Sequence, residues 1–357
     1  MALAELVCVP DTSWVDERAA LLDRRISDMG ITIERSRVAS LVAELHRELA
    51  ARGVPLSPAV YLTDEWGCPD GTPLIGVPFY LADPRLERIE AEMSGAVEDD
   101  REAMRYLRHE AGHAVNYAFA LHERPDWQRV FGLFQRPYRE RYPADPFSRS
   151  FVRHILGWYA QKHPDEDFAE TFAVWLTPDE DWRAAYAGWP AMEKLEYVDG
   201  VMGELSARGE RPPAVPAAPA ADDLPVEAMR YTVRQYYERA HQSMPIGDAR
   251  QFDIDLRRIF VSAEDAPGGE SAGAFVERHA GEIVSRLAYW TSEPPSVVRS
   301  LVNHIVLRAG DLNLRVGSLE ASTLIELTAF GTAVAMHHRA GRTPARARRA
   351  RPTSVRA

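Results

Sequence analysis

Residues 97–121 read VEDDREAMRYLRHEAGHAVNYAFAL, and the spacing inside this stretch decides what kind of chain this is. Met104, Leu107, Ala111, Val115 and Ala118 recur every three or four residues, so they line one face of a helix. His109 and His113 stand four apart and project from a second face, one turn above the other, where two imidazoles can share a single metal ion. Glu110 is rotated about 100° from His109, which lets it reach a water beside that metal without ligating it. Neutral imidazole nitrogens suit zinc. Gly112 costs about 1 kcal/mol in a helix interior, so its presence predicts close approach by another backbone or a ligand. The bland alternative, two surface histidines on a solvated helix, leaves that glycine unexplained.

A matching element lies downstream in HPDEDFAETFAVWL, residues 163–176. Pro164 fits the start of a helix, and Asp165, Glu166 and Asp167 suit its positive N-terminal end. Phe168, Phe172, Trp175 and Leu176 fall on one side, with Glu166 and Glu170 on the other, flanked by Ala169 and Ala173. Two carboxylates one turn apart beside small residues predict a helix lying close against the histidine helix. Such a pair offers a third zinc ligand and an acceptor for the free N–H of a ligand histidine. The spacing leaves open which glutamate does which.

HEAGH together with DEDFAETFAVWL, preceded by EWGCPDGTPLIGVPFYLADPRL at 65–86, resembles a bacterial family described as zinc-binding metallopeptidases. The zinc site is also similar to that of lethal-factor-like and Pro-Pro endopeptidases. In those enzymes a tyrosine precedes the ligand glutamate by seven residues and a second glutamate follows it by four; here Tyr159, Glu166 and Glu170 stand at those spacings. The resemblance spans roughly residues 10–205. It implies one zinc per chain held by His109, His113 and Glu166, with Glu110 as general base, Tyr159 as oxyanion donor and Glu170 behind a ligand histidine. Glu170 as the ligand, with Glu166 at the rim, is the alternative. The implied activity is hydrolysis of a peptide bond by zinc-activated water, on a peptide or protein substrate.

Around this motif the chain mixes signals. Residues 15–52 predict two helices broken near Gly30, the second carrying Val38, Leu41, Val42, Leu45 and Leu49 at helical spacing. PAVYLT (58–63) and PLIGVPFYLA (73–82) predict strands, and Pro78 places the second at a sheet edge, open to pairing with an extended substrate. The fold class expected is α+β: a zincin-like metallopeptidase domain over residues 1–210, mostly helical with a small sheet, then an all-α C-terminal segment. Four prolines and five alanines between 211 and 221 predict a linker over 211–224. A helical domain follows at 225–340, with helices near 225–241, 247–261, 272–291, 295–309 and 318–338. Residues 341–357 hold six arginines and no acid, the composition of a disordered tail.

Composition excludes several classes. The 357 residues carry a formal charge of −11, which argues against general nucleic-acid binding. Two cysteines, Cys8 and Cys68, make neither a disulfide framework nor a thiolate zinc site. No targeting or membrane-spanning stretch is visible, so a cytoplasmic protein is expected. All but two of the 42 basic residues are arginine, the exceptions being Lys162 and Lys194; a GC-rich genome explains such a bias. Two other functions remain open at this stage: a zinc-dependent hydrolase of a non-peptide amide, and a scaffold whose C-terminal helices bind a partner while the zinc site is vestigial. An intact Glu110 argues against the latter, since metal binding alone does not require it.

Overall fold

The structure is a computed structural model that describes residues 12–139, 142, 144–209, 212, 224–240, 244–291, 293–317 and 319–341. The chain divides into two compact units, residues 1–242 and 243–357. The first contains α1 (Thr12–Leu22), α2 (Val38–Ala51), β1 (Ala59–Thr63), β2 (Leu74–Pro78), α3 (Pro84–Ser94), α4 (Asp100–Ala118) and α5 (Pro125–Phe131). It continues with α6 (Pro164–Leu176), α7 (Trp182–Ala185), α8 (Met192–Arg208) and α9 (Val233–Ala240). This is the α+β, mostly helical unit that the sequence pattern predicts. Gly30, at φ +64°, lies in the break between α1 and α2. Val38, Leu41, Leu45 and Leu49 are buried along α2, the apolar stripe of an amphipathic helix.

β1 and β2 pair in parallel, from Ala59 opposite Leu74 to Thr63 opposite Pro78. Pro78 is the last residue of its strand, where a missing N–H interrupts nothing. β2 is nevertheless not an open edge at its centre. Gly76 donates to the Gly67 carbonyl at 2.7 Å and Gly67 donates back at 3.3 Å, so the 65–73 segment covers the side of β2 away from β1. A side chain at Gly76 would bring its Cβ within 2.6 Å of the Thr63 methyl, which accounts for the glycine.

α4 starts with a capping box: the Asp99 carboxylate accepts from the Glu102 backbone N–H, and the Glu102 carboxylate accepts from that of Asp99. α6 starts with Pro164 in its first turn, and the His163 ring accepts from the Asp165 backbone. The two helices pack face to face, with β2 also against α4. Gly112 permits this approach: a Cβ there would lie 2.7 Å from the Ala169 Cα. The expected close backbone contact is therefore the pairing of α4 with α6.

The division between units falls after residue 242, not in the 211–224 stretch, which apart from Pro212 and Leu224 lies outside the described residues. α9 and the turn before it belong to the first unit. Val226, Met229, Val233 and Tyr237 are buried in its core, and the Ile26 and Val233 amides donate to Tyr231 and Arg24 carbonyls respectively. Proline and alanine mark where the core pauses; the apolar residues beyond them return the chain to it.

The second unit is helical: α10 (Asp253–Ile259), α11 (Ala272–Arg278), α12 (Ala280–Thr291), α13 (Pro295–Asp311) and α14 (Glu320–Gly341). The helix expected at 272–291 is interrupted at His279, and a two-residue antiparallel pair, β3 (Val261–Ser262) with β4 (Leu314–Arg315), interrupts the all-α pattern. Phe252, Phe275, Leu287, Leu301 and Leu327 sit in its core. The arginine-rich tail, beyond Gly341, lies outside the described residues. Among the described residues no helix is long and apolar enough to cross a membrane.

Candidate metal centre

The face of α4 that carries His109 and His113 looks onto the face of α6 that carries Glu166 and Glu170. All four side chains are buried. Glu166 Oε2 lies 3.1 Å from His109 Nε2 and 3.2 Å from His113 Nε2, and the two Nε2 atoms are 3.2 Å apart. One donor atom from each of His109, His113 and Glu166 thus converges on a single point, an arrangement able to hold a metal ion.

The opposite edge of each ring meets a different carboxylate. Glu170 Oε1 lies 2.9 Å from His109 Nδ1, and the same carboxylate accepts from the backbone N–H groups of His154 and Ile155, the latter at 2.9 Å. Asp165 Oδ2 lies 3.0 Å from His113 Nδ1. Asp165 is in turn held by Asn116 Nδ2 at 2.7 Å and by the Tyr117 hydroxyl at 2.6 Å. Glu166 and Glu170, which the spacing left interchangeable, therefore occupy different places: Glu166 at the point of convergence, Glu170 behind His109.

Glu110 and Tyr159 line the same cavity, whose volume is about 480 Å³. Trp66 and Asp70, from the segment that covers β2, form part of its wall. Tyr159 follows Gly157 and Trp158, both with positive φ, a tight reversal that brings its ring to 5.6 Å from that of His109. Its hydroxyl accepts from Lys162 Nζ at 3.2 Å and lies 3.4 Å from the hydroxyl of Tyr138. The Tyr138 hydroxyl donates to Glu166 Oε1.

Two of these partners escape a reading of sequence. Asp165 passes for a helix-dipole residue; the signal that points further is Asn116 and Tyr117, polar groups on a buried helix that require a partner. Tyr138 lies in a segment between α5 and α6 whose composition gives no sign of it.

The electrostatics follow from burial against pairing. Burial acts to raise the Glu166 carboxyl, but its bonds to both imidazoles outweigh this and hold it well below the usual carboxylate range. Burial likewise disfavours a charged His109, yet Glu166 and Glu170 raise the ring to about 9. Glu110 is raised, chiefly by burial, against the pull of the two imidazoles. Burial, with Glu166 and Tyr138 adding to it, raises the Tyr159 phenol and so keeps it protonated.

These observations also test the metal. In the neutral ring that a metal requires, the His109 proton belongs on Nδ1 beside Glu170, which leaves Nε2 as the donor atom facing His113 Nε2 and Glu166 Oε2. Two ring nitrogens and a carboxylate oxygen within 3.2 Å of one another, in a pocket rich in buried acid, fit a cation between them. Two imidazoles and a carboxylate match the three-ligand set of a catalytic zinc site, with Glu170 hydrogen-bonded behind the His109 ring and Asp165 close to His113 Nδ1.

Residues 82–198 match a family described as "putative zinc-binding metallo-peptidase". That segment, from just before α3 into α8, is similar to the family that HEAGH and DEDFAETFAVWL resemble, and it contains the whole convergence just described. The match carries nothing of the likeness to lethal-factor-like enzymes. No curated protein and no solved structure matches the chain.

Proposed function

We propose that this chain is a zinc-dependent peptidase that hydrolyses a peptide bond in a peptide or protein substrate. His109, His113 and Glu166 are the ligands, Glu110 the general base and Tyr159 the oxyanion donor; Glu170 and Asp165 orient the two imidazoles. The observation that carries the reading is the meeting of His109 Nε2, His113 Nε2 and Glu166 Oε2 within 3.2 Å of one another, with a carboxylate at the far edge of each ring. Zinc held there supplies Lewis acidity toward water and carbonyl.

The chain's own residues do the rest. Glu110 borders the cavity next to the ligand pair, and its burial makes it a stronger base than an exposed glutamate. It takes the proton from the attacking water and delivers it to the leaving nitrogen. Tyr159, kept protonated, donates to the oxygen that gains charge as the carbonyl carbon becomes tetrahedral. With Gly67 bonded to Gly76, a substrate chain is directed along the 66–70 segment and not onto β2.

The test is digestion of a peptide library by zinc-loaded full-length protein, wild type beside Glu110→Gln, with products read by mass spectrometry. Wild type should cleave, and the variant should lose about 10²–10⁴-fold in rate while keeping its zinc. Equal cleavage by both proteins, or none by zinc-loaded wild type, would sink the proposal.

A further inference from the structure

Both exceptions to the arginine bias lie beside α6. Lys194 Nζ donates to Asp167 Oδ2 at 2.7 Å and to the Ser150 carbonyl at 2.6 Å. Lys162 Nζ donates to the Tyr159 hydroxyl and lies 4.4 Å from the centre of the Tyr138 ring and 4.9 Å from that of Tyr159. An ammonium is a compact charge on a flexible stem, whereas a guanidinium is a planar fork. The space between two phenol rings suits the former, and a cation over each ring face draws both toward it. Lysine at 162, in a chain that uses arginine almost everywhere else, marks a place where charge alone does not suffice.

What Lys162 gathers there is a contact with a ligand. Glu166 has two oxygens with different duties: Oε2 faces both imidazoles, and Oε1 accepts from the Tyr138 hydroxyl. A glutamate's terminal torsion is broad, so nothing intrinsic to the side chain decides which oxygen faces the metal, or whether both do. A donor on Oε1 decides it. The competing description, a surface tyrosine in chance contact, fits poorly. Tyr138 is half exposed, but its hydroxyl reaches a carboxylate that is only 3% exposed, where bonding to an ionised group is strong.

We propose that Tyr138, held in place by Lys162, is a positioning residue that fixes the Glu166 carboxylate so that one oxygen is presented to the metal. This rests on the zinc reading above and adds to it a residue outside the ligand set. The experiment measures zinc affinity of the full-length protein by competition with a chelator, for wild type, Tyr138→Phe, Tyr159→Phe and Lys162→Met. The visible spectrum of the cobalt-substituted proteins is recorded alongside. Tyr138→Phe should weaken zinc about 10–100-fold, as loss of an orienting partner does, and shift the cobalt bands. Lys162→Met should move both readouts in the same direction by a smaller factor. Tyr159→Phe, which removes a phenol without touching Oε1, should leave zinc affinity within about twofold, taking a typical partner's effect of at least tenfold as the yardstick. Thermal unfolding of the metal-free proteins separates a folding defect from a change at the ligand. Unchanged affinity and spectrum in Tyr138→Phe, or equal weakening in Tyr159→Phe, overturns the proposal while leaving the zinc reading intact. Failure of wild type to bind zinc overturns both.

Discussion

The two units treat buried polarity in opposite ways. In the first, the helix pair α4 and α6 buries His109, Glu110, His113, Asn116, Asp165, Glu166, Asp167 and Glu170. In the second, the buried polar residues among those described are Thr291, Glu293 and Thr323. An uncompensated buried charge costs several kcal/mol, so a stretch such as α6, with every one of its 13 residues buried, persists only if its acids are paired. They are: Asp165 with Asn116 and Tyr117, Glu166 with both histidines, Asp167 with Lys194, Glu170 with His109 and two backbone amides. Burial still raises Asp167 to about 7, despite Lys194. The second unit buries mainly apolar side chains. Polar investment concentrated in one helix pair points to chemistry there.

The largest effect expected from this contrast is on truncation. Cutting the chain at 210 removes Val226, Met229, Val233 and Tyr237 from the first core. At about 1.5–3 kcal/mol for each fully buried side chain, the loss rivals the whole stability of a typical domain, about 5–15 kcal/mol. Residues 1–210 should therefore fail to give a cooperative thermal transition, whereas 1–242 should give one and bind zinc. A cooperative, zinc-binding 1–210 fragment would place the boundary back at the Pro/Ala stretch.

The ligand face comes next. Glu166→Ala should weaken zinc more than Glu170→Gln, and the latter should cost about 10–100-fold, the usual price of an orienting partner. The reverse order, measured by chelator competition, would make Glu170 the ligand. Zinc should also be released on acidification, because both imidazoles and the carboxylate must be deprotonated to bind it, and Glu170→Gln should release it at higher pH than wild type.

The smallest effects compare two helical glycines. Gly112→Ala drives a methyl into the Ala169 backbone and should destabilise the first unit by about 1–3 kcal/mol in chemical denaturation. Gly310→Ala in α13 meets nothing within 4 Å and should stabilise the second unit by about 0.4–1 kcal/mol. Equal effects would mean that α4 and α6 are not packed as closely as described.

Much of this was legible because helices advertise themselves through spacing. The faces of α4 and α6, the stripe on α2 and the approach at Gly112 are all local periodicity or local cost, read from consecutive residues. Pairing across the chain is not. The bond between Gly67 and Gly76 that closes β2, the return of α9 to the first core, and the reach of Tyr138 to Glu166 depend on residues brought together by the fold. The roles of Glu166 and Glu170 illustrate the limit. One turn apart on one helix they are equivalent in sequence; the fold distinguishes them by bringing both Nε2 atoms to Glu166, and His109 Nδ1 with the backbone amides of His154 and Ile155 to Glu170.

The central claim is that His109, His113 and Glu166 hold one zinc ion beside Glu110. The most direct test is the zinc content of purified full-length protein by mass spectrometry of the metal, for wild type, His109→Ala, His113→Ala and Glu110→Gln. The account predicts about one zinc per chain in wild type and in Glu110→Gln, and close to none in either histidine variant. Full zinc retention in both histidine variants would contradict it.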